Sequence, residues 1–338
     1  MALKDLTIVI LSRGREDILK KTLSYWSDKA LKILVLHNTN HPLTVTEIPK
    51  NVEYVVERVS YGERCGKVPK YLKTKYAILS SDDEVFLTSA LIKMVNYLEK
   101  NNSIESIGGS VIAIGKYGPR TTGTHCYSNI NRYENLKISR KSRLAQHFDT
   151  DLPWRGGSMY RVISTPLFNK MMKMFQEISD FSTPYIYEVS GEILVNSSGK
   201  TKYLQEIYWI RNWIIDPVVH KDWDRKKYFS SWFTDPSKEK EVSEWKYILN
   251  KSLGLPAEDL ETVLRKVFTL RNISESREIE RISKFRLPLP TSVKYLLRRL
   301  VNSPSIPRDF YSTLAGMQSQ GINFSLREIE SAVRVINS

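Results

Sequence analysis

Four short runs of β-branched and aliphatic residues punctuate the first third of the chain: LTIVIL at 6–11, KILVLHN at 32–38, VEYVVERV at 52–59 and YAILSS at 76–81. Their apolar positions are nearly continuous instead of alternating, which predicts strands covered on both faces, as in a parallel sheet. Between them EDILKKTLSYWSD (16–28) and ERCGKVPKYLKTK (63–75) have helical spacing and length, giving the rhythm of right-handed βαβ units. Thr88 is placed to cap a third helix over SALIKMVNYLEKN (89–101), and residues 104–114 read as a further strand.

From 115 to 151 the pattern dissolves into Gly, Thr, Asn, Arg and Lys, which predicts a long functional loop. Regular structure resumes at Trp154. Pro166 suits the first turn of a helix over PLFNKMMKMFQEI (166–178), and YIYEVSGEILVNSSG (185–199) ends on Gly199 as a C-cap. KYLQEIYWIRNW (202–213) reads as a strand. Beyond Pro236 come charged amphipathic helices, SEWKYILNKSL, AEDLETVLRKVF and SLREIESAVRVI, parted by a Pro-rich hinge at 286–290. The expected organisation is an α/β catalytic domain over 1–235, in two halves to about 115 and from about 150, followed by a helical C-terminal lobe over 236–338.

A hydrophobic share of 41% supplies enough apolar material for a packed interior and excludes wholesale disorder. The two cysteines, Cys65 and Cys126, carry neither CxxC nor Cys/His spacing, so no disulfide framework or structural zinc site is indicated and a reducing compartment fits. The first apolar run is too short for a signal sequence, and no window reaches the roughly 18 uncharged apolar residues of a spanning helix. A cytoplasmic setting is expected. The formal net charge of +14 attracts phosphates, acidic glycans, nucleic acid or an anionic membrane without choosing among them.

Candidate chemistry begins at Asp82-Asp83-Glu84, three carboxylates that follow the fourth apolar run. Like charges so close repel in a partly desolvated cleft, and Mg²⁺ or Mn²⁺ relieves that with hard oxygen donors. In an extended segment Asp82 and Glu84 would point to one side and Asp83 to the other. A surface turn ahead of a helix accounts for such acids equally well. The companion motif is Ser12-Arg13-Gly14-Arg15 after the first strand, where Arg13 and Arg15 can clamp phosphate and the next helix N-terminus adds positive character.

The ordered series SRGRE after strand one, HN after strand two and KTKYAILSSDDE closely resembles GT-A glycosyltransferases related to family 2. It is similar in particular to a bacterial branch with a DDD-like metal motif, a variable insert and a later arginine-bearing strand, here WIRNW at 209–213. The resemblance spans roughly 6–220 and implies a GT-A α/β fold, a nucleotide-sugar donor and a glycan or glycolipid acceptor, as in bacterial surface-polysaccharide assembly. It implies that Ser12, Arg13 and Asn38 touch base or ribose and that Arg64 or Lys67 meets the diphosphate. Asp82 with Glu84 would bind Mn²⁺ or Mg²⁺, Asp83 assisting with ribose or metal. His220 would contact metal or diphosphate, and Arg211 would reinforce the phosphate site. The third acid is Glu where relatives carry Asp, and Asn38 stands where many have Asp.

Sugar transfer to a hydroxyl needs a base. Glu188, at the start of the 185–199 helix, is the first candidate, with Glu192 one turn on; Asp151, near Trp154 and two glycines, is the second. The basic amphipathic segment TSVKYLLRRLVN (291–302) suits either packing on the catalytic domain or a peripheral position at the inner face of an anionic membrane. Two rival classes stay open: a nucleotidyltransferase, whose glycine-rich loop SRGRE only thinly matches, and a non-enzymatic basic protein. No RNP, helix-turn-helix or zinc signature supports nucleic acid as a partner.

Overall fold

Alternate residues of the first strand, β1 (Leu6–Arg13), are buried toward opposite sides: Leu6, Ile8 and Ile10 in one apolar cluster, Val9 in another. The same division holds in β2 (Lys32–Asn38), where Ile33 and Val35 oppose Leu34 and Leu36, and in β4 (Tyr76–Ser80), where Ile78 opposes Ala77 and Leu79. That two-sided burial is the physical origin of the continuous apolar runs. The computed structural model describes residues 2–117, 120–126, 134–151, 156–178, 181–212, 228–284 and 308–337.

β1 pairs in parallel with β2 and β4, and β2 with β3 (Val52–Val56). Strand order on this side is therefore β3-β2-β1-β4, and the sheet continues through β8 (Val162–Ser164) to β6 (Ile104–Tyr117) and β7 (Arg120–Cys126). β8 is antiparallel to both β4 and β6. β9 (Lys200–Asn212) lies parallel along β6 and also pairs with the two-residue β5 (Val85–Phe86), while β10 (Arg308–Asp309) borders β7. The result is a mixed α/β fold with helices on both faces of the sheet.

Helices α1 (Glu16–Trp26) and α3 (Thr88–Lys100) cover one face; α2 (Tyr61–Tyr71), α5 (Thr165–Glu177) and α6 (Tyr185–Ser198) cover the other. α2 begins before the expected residue 63, because the Ser60 hydroxyl accepts from the Glu63 amide and the Glu63 carboxylate accepts from the Ser60 amide. Thr88 is not a cap. It is the first residue of α3, and the carboxylate of Glu328 accepts from the amides of Thr88 and Ser89 and from the Ser89 hydroxyl instead. Gly199 does follow the end of α6, in extended backbone and not in the left-handed form.

The long loop expected over 115–151 is corrected most. Its described parts hold the end of β6, all of β7 and helix α4 (Arg140–His147). The chain from Phe229 onward contributes to both faces. α7 (Phe229–Thr234), α8 (Glu239–Leu253) and α9 (Ala257–Lys284) bury Phe229, Trp245, Leu249 and Leu264 with α5 and α6. α10 (Phe310–Ser319) and α11 (Leu326–Asn337) bury Phe310, Leu314 and Ile329 beside α1 and β9. The Pro-rich stretch at 286–290 and the basic segment at 291–302 lie outside the described residues.

Candidate functional site

Chain order reverses its direction across the sheet at β1: the path runs β1 to β2 to β3 on one side, then returns with β4 on the other. Such a switch point opens a crevice at the carboxyl ends of the strands. The turn after β1 and the turn after β4 meet there. The Ser12 hydroxyl donates to Asp82 Oδ2 at 2.6 Å, and Arg15 Nη2 lies 2.6 Å from Asp83 Oδ2 and 3.2 Å from Asp82 Oδ1. From the adjacent helix, Thr22 donates to the Asp82 carbonyl at 2.6 Å.

The basic turn is held by its own scaffold. Gly14 and Arg15 both adopt left-handed backbone, at φ 57° and 64°, and only glycine does so without strain. The Gly14 amide donates to the Asn38 carbonyl at 2.9 Å, while His37, buried in β2, sits 3.0 Å from the Gly14 carbonyl and 2.7 Å from the Tyr54 hydroxyl. Burial pushes the His37 imidazole pKa down. A neutral ring fits both contacts, one nitrogen donating to the Gly14 carbonyl and the other accepting from Tyr54.

Asp82 and Asp83 sit in a turn, not an extended segment, so the expected alternation fails. Asp82 and Asp83 both reach Arg15. Glu84 is directed elsewhere, accepting from Trp209 Nε1 at 3.0 Å and Arg211 Nε at 2.8 Å across β9. Arg211 in turn lies over the Trp209 ring at 5.0 Å. Burial pushes Asp82 up against the pull of Arg15, and pushes Glu84 up to about 7 against that of Arg211. Burial also works against the charge on Arg15, but Asp82 and Asp83 outweigh it and hold its pKa above the usual value.

Three hard carboxylates suit Mg²⁺ or Mn²⁺ in their chemistry. Asp82 and Asp83 are the pair that converges on one point, the Arg15 guanidinium, whereas Glu84 engages a separate cation. Among the described residues no three His, Cys, Asp or Glu side chains group as metal ligands. His220 lies outside the described residues.

Other expected residues are distributed as follows. Arg13 is exposed at the end of β1, in register with Asn38, whose side-chain amide donates to the Val59 carbonyl at 2.8 Å. Arg64 is buried and donates to the backbone carbonyls of Ser12 and, at 3.2 Å, Leu36, tying β1 and β2 together from α2. Lys67 pairs with Glu57. Asp151 is exposed on the turn after α4, with its amide donating to Asp149 Oδ1 at 3.1 Å.

Glu188 is half-buried at the start of α6 and lies against Gly156. Tyr160, packed on Trp209 at 4.8 Å between ring centroids, feels the charges of Glu84, Arg211, Glu188 and Asp83. The acid on α6 therefore shares one electrostatic neighbourhood with the acids after β4. Glu192 has a different place. It is wholly buried and accepts from His147 Nε2 at 2.8 Å, the Gly157 and Ser158 amides and the Ser158 hydroxyl at 2.6 Å. Burial raises its pKa, but those partners outweigh burial and leave it lowered. It anchors the backbone at 157–158, which precedes Tyr160.

Among the described residues no helix is long and apolar enough to cross a membrane. No protein-family model and no curated protein matches the chain. Among solved structures it is similar to the crystal structure of S. aureus TarS, with a TM-score of 0.45 and 10% identity over 80% of this chain and 55% of that one. It is also similar to S. aureus TarS 1-349, with a TM-score of 0.42 and 9% identity over 82% of this chain and 92% of that one. The chain thus spans 55% of the length of the first of these.

Proposed function

We propose that this chain is a GT-A-type glycosyltransferase that moves a sugar from a nucleotide-diphosphate donor to a hydroxyl of a glycan or glycolipid acceptor, as in the assembly of a bacterial surface polysaccharide. One observation carries this reading: the basic Ser12–Arg15 turn and the acidic Asp82–Glu84 turn interlock at the switch point between β1 and β4. A nucleotide entering such a crevice places its phosphates at the end of β1, beside the start of the following helix.

In this arrangement Arg13, Arg15 and Arg211 supply positive charge to the diphosphate, and Asn38 and Ser12 border the nucleoside. Trp209 and Tyr160 supply an aromatic wall for the sugar. Glu188 faces the acceptor and takes the proton from its hydroxyl as the oxygen bonds to the anomeric carbon. The bond from that carbon to the diphosphate breaks, and its electron pair leaves with the phosphate. Asp82 and Asp83 are the residues that would hold Mn²⁺ or Mg²⁺; such an ion, when bound, supplies positive charge opposite the departing diphosphate.

A thermal-shift panel of UDP, GDP, CDP and their sugars, each with and without Mn²⁺, tests the proposal. One base is expected to raise the melting temperature, and Asp82→Ala to abolish the effect. A flat panel under all conditions would retire the nucleotide-sugar reading.

A further inference from the structure

The long helix α9 carries Arg271 into the protein next to α6. Arg271 is 5% exposed, and its guanidinium joins two carboxylates. Nη2 and Nε lie 2.9 and 3.2 Å from Glu275 Oε1, and Nη1 lies 3.5 Å from Glu188 Oε1. The group also lies 4.4 Å from the centre of the Tyr185 ring. Tyr185 and Glu188 are three residues apart on α6, hence on one helical face, so Arg271 engages that face at two adjacent points.

Glu275 fixes the other side. Its Oε1 accepts from the Phe229 amide at 3.1 Å and its Oε2 from the Ser230 amide at 3.0 Å, closing the N-terminus of α7. Arg271 is thereby locked by a buried partner before it reaches Glu188, whose side chain is about one-third exposed at 32%. A guanidinium so braced gives the carboxylate a fixed partner on this side.

We infer that Arg271 is a positioning residue for Glu188, holding the proton-accepting carboxylate toward the crevice from a helix outside the expected catalytic domain. This rests on the proposed role of Glu188. Orientation contributes to turnover without touching the donor.

The test follows release of nucleoside diphosphate, with water as acceptor, from whichever nucleotide sugar stabilises the protein in the thermal panel. Arg271→Gln is expected to lower kcat about tenfold while leaving the donor KM in place. Arg271→Lys, which keeps a positive charge without the planar fork, should fall between; it carries the test if the glutamine variant is poorly folded. A merely structural arginine would change melting temperature and active fraction but not the turnover of the folded enzyme. Unaltered kcat in the Arg271 variants, alongside an inactive Glu188→Gln, overturns the inference and leaves Glu188 in place. A fully active Glu188→Gln overturns both.

Discussion

Arg15 and Asp83 meet at 2.6 Å although 68 residues separate them in sequence. Their meeting fixes the spatial relation between the ends of β1 and β4, and with Asp82 it forms a charged seam at the floor of the crevice. Arg15 reaches that seam from a left-handed backbone conformation that costs a non-glycine residue about 1 kcal/mol or more. Strain retained at a charged crevice is expected where a guanidinium must stand in one place for a ligand.

Arg15→Gly separates the ligand role from the structural one. The substitution relieves the backbone strain but also removes the cation shared by Asp83 and the buried Asp82, so the two effects on stability oppose each other. Affinity for the nucleoside diphosphate should fall about tenfold, as for the loss of one charge-assisted contact. Titration calorimetry reads this directly; undiminished affinity would remove Arg15 from the phosphate site.

Glu84 gives a pH signature. Its pKa is raised by burial to about 7, above the 4.5 of an exposed glutamate, so the folded state binds its proton more tightly than the unfolded state does. The stability contributed by that proton is fully present below about 4.5 and is lost as pH rises through about 7. Glu84→Gln is neutral throughout. Relative to the wild type it should gain stability across that window, by up to about 1.4 kcal/mol per pH unit. Parallel melting curves for the two proteins from acid to neutral pH would contradict the burial of this carboxylate.

The strands that build the crevice were legible because both faces of β1, β2 and β4 are buried, which writes an unbroken apolar run into the sequence. β7 escaped notice because RTTGTHC carries threonine and glycine where an apolar pattern would mark a strand, and its buried neighbours come from distant α10. α4 escaped because it turns Arg143 and His147 inward along with Leu144, so no hydrophobic stripe exists to be read. Arg64 illustrates the limit at the site: an arginine beside a phosphate turn and an arginine bonded to β1 and β2 carbonyls look alike in sequence. The inward role of Glu192 did leave a trace, as a lone acid in the otherwise uncharged stretch VSGEILVNSS. Arg271 left none, because Glu188 and Tyr185 lie on distant α6, and its i,i+4 pairing with Glu275 looks like that of any charged helix.

Glu192 should be among the costliest acids to replace. Glu192→Ala removes a wholly buried carboxylate that accepts from His147, Ser158 and two backbone amides, so each of them loses that acceptor. Breaking such a buried set costs about 3 to 5 kcal/mol. Urea unfolding measures the loss, and a change below about 1 kcal/mol would show that these donors find other partners.

Glu328 caps a helix from the far end of the chain, 240 residues from Thr88. Glu328→Ala should cost about 1 kcal/mol, the usual worth of an N-cap, and loosen the first turn of α3. Hydrogen exchange at the amides of Thr88 and Ser89 is the sensitive readout. Exchange as slow as in the wild type would mean that the cap is dispensable.

Gly156→Ala probes the orientation of Glu188 without touching the acid itself. A methyl group at position 156 would lie 2.1 Å from Glu188 Oε1 and 2.7 Å from its Cδ, too close to coexist with the observed side-chain position. The obstacle is the far end of a flexible side chain, so the fold can yield by swinging Glu188 aside at little cost in stability. The carboxylate would then leave both Arg271 and the crevice. Turnover should drop about tenfold or more with the melting temperature nearly unchanged, because a displaced base loses proximity while the folded core keeps its contacts. Equal activity in Gly156→Ala and wild type would mean that the observed position of Glu188 is not the one that matters for transfer.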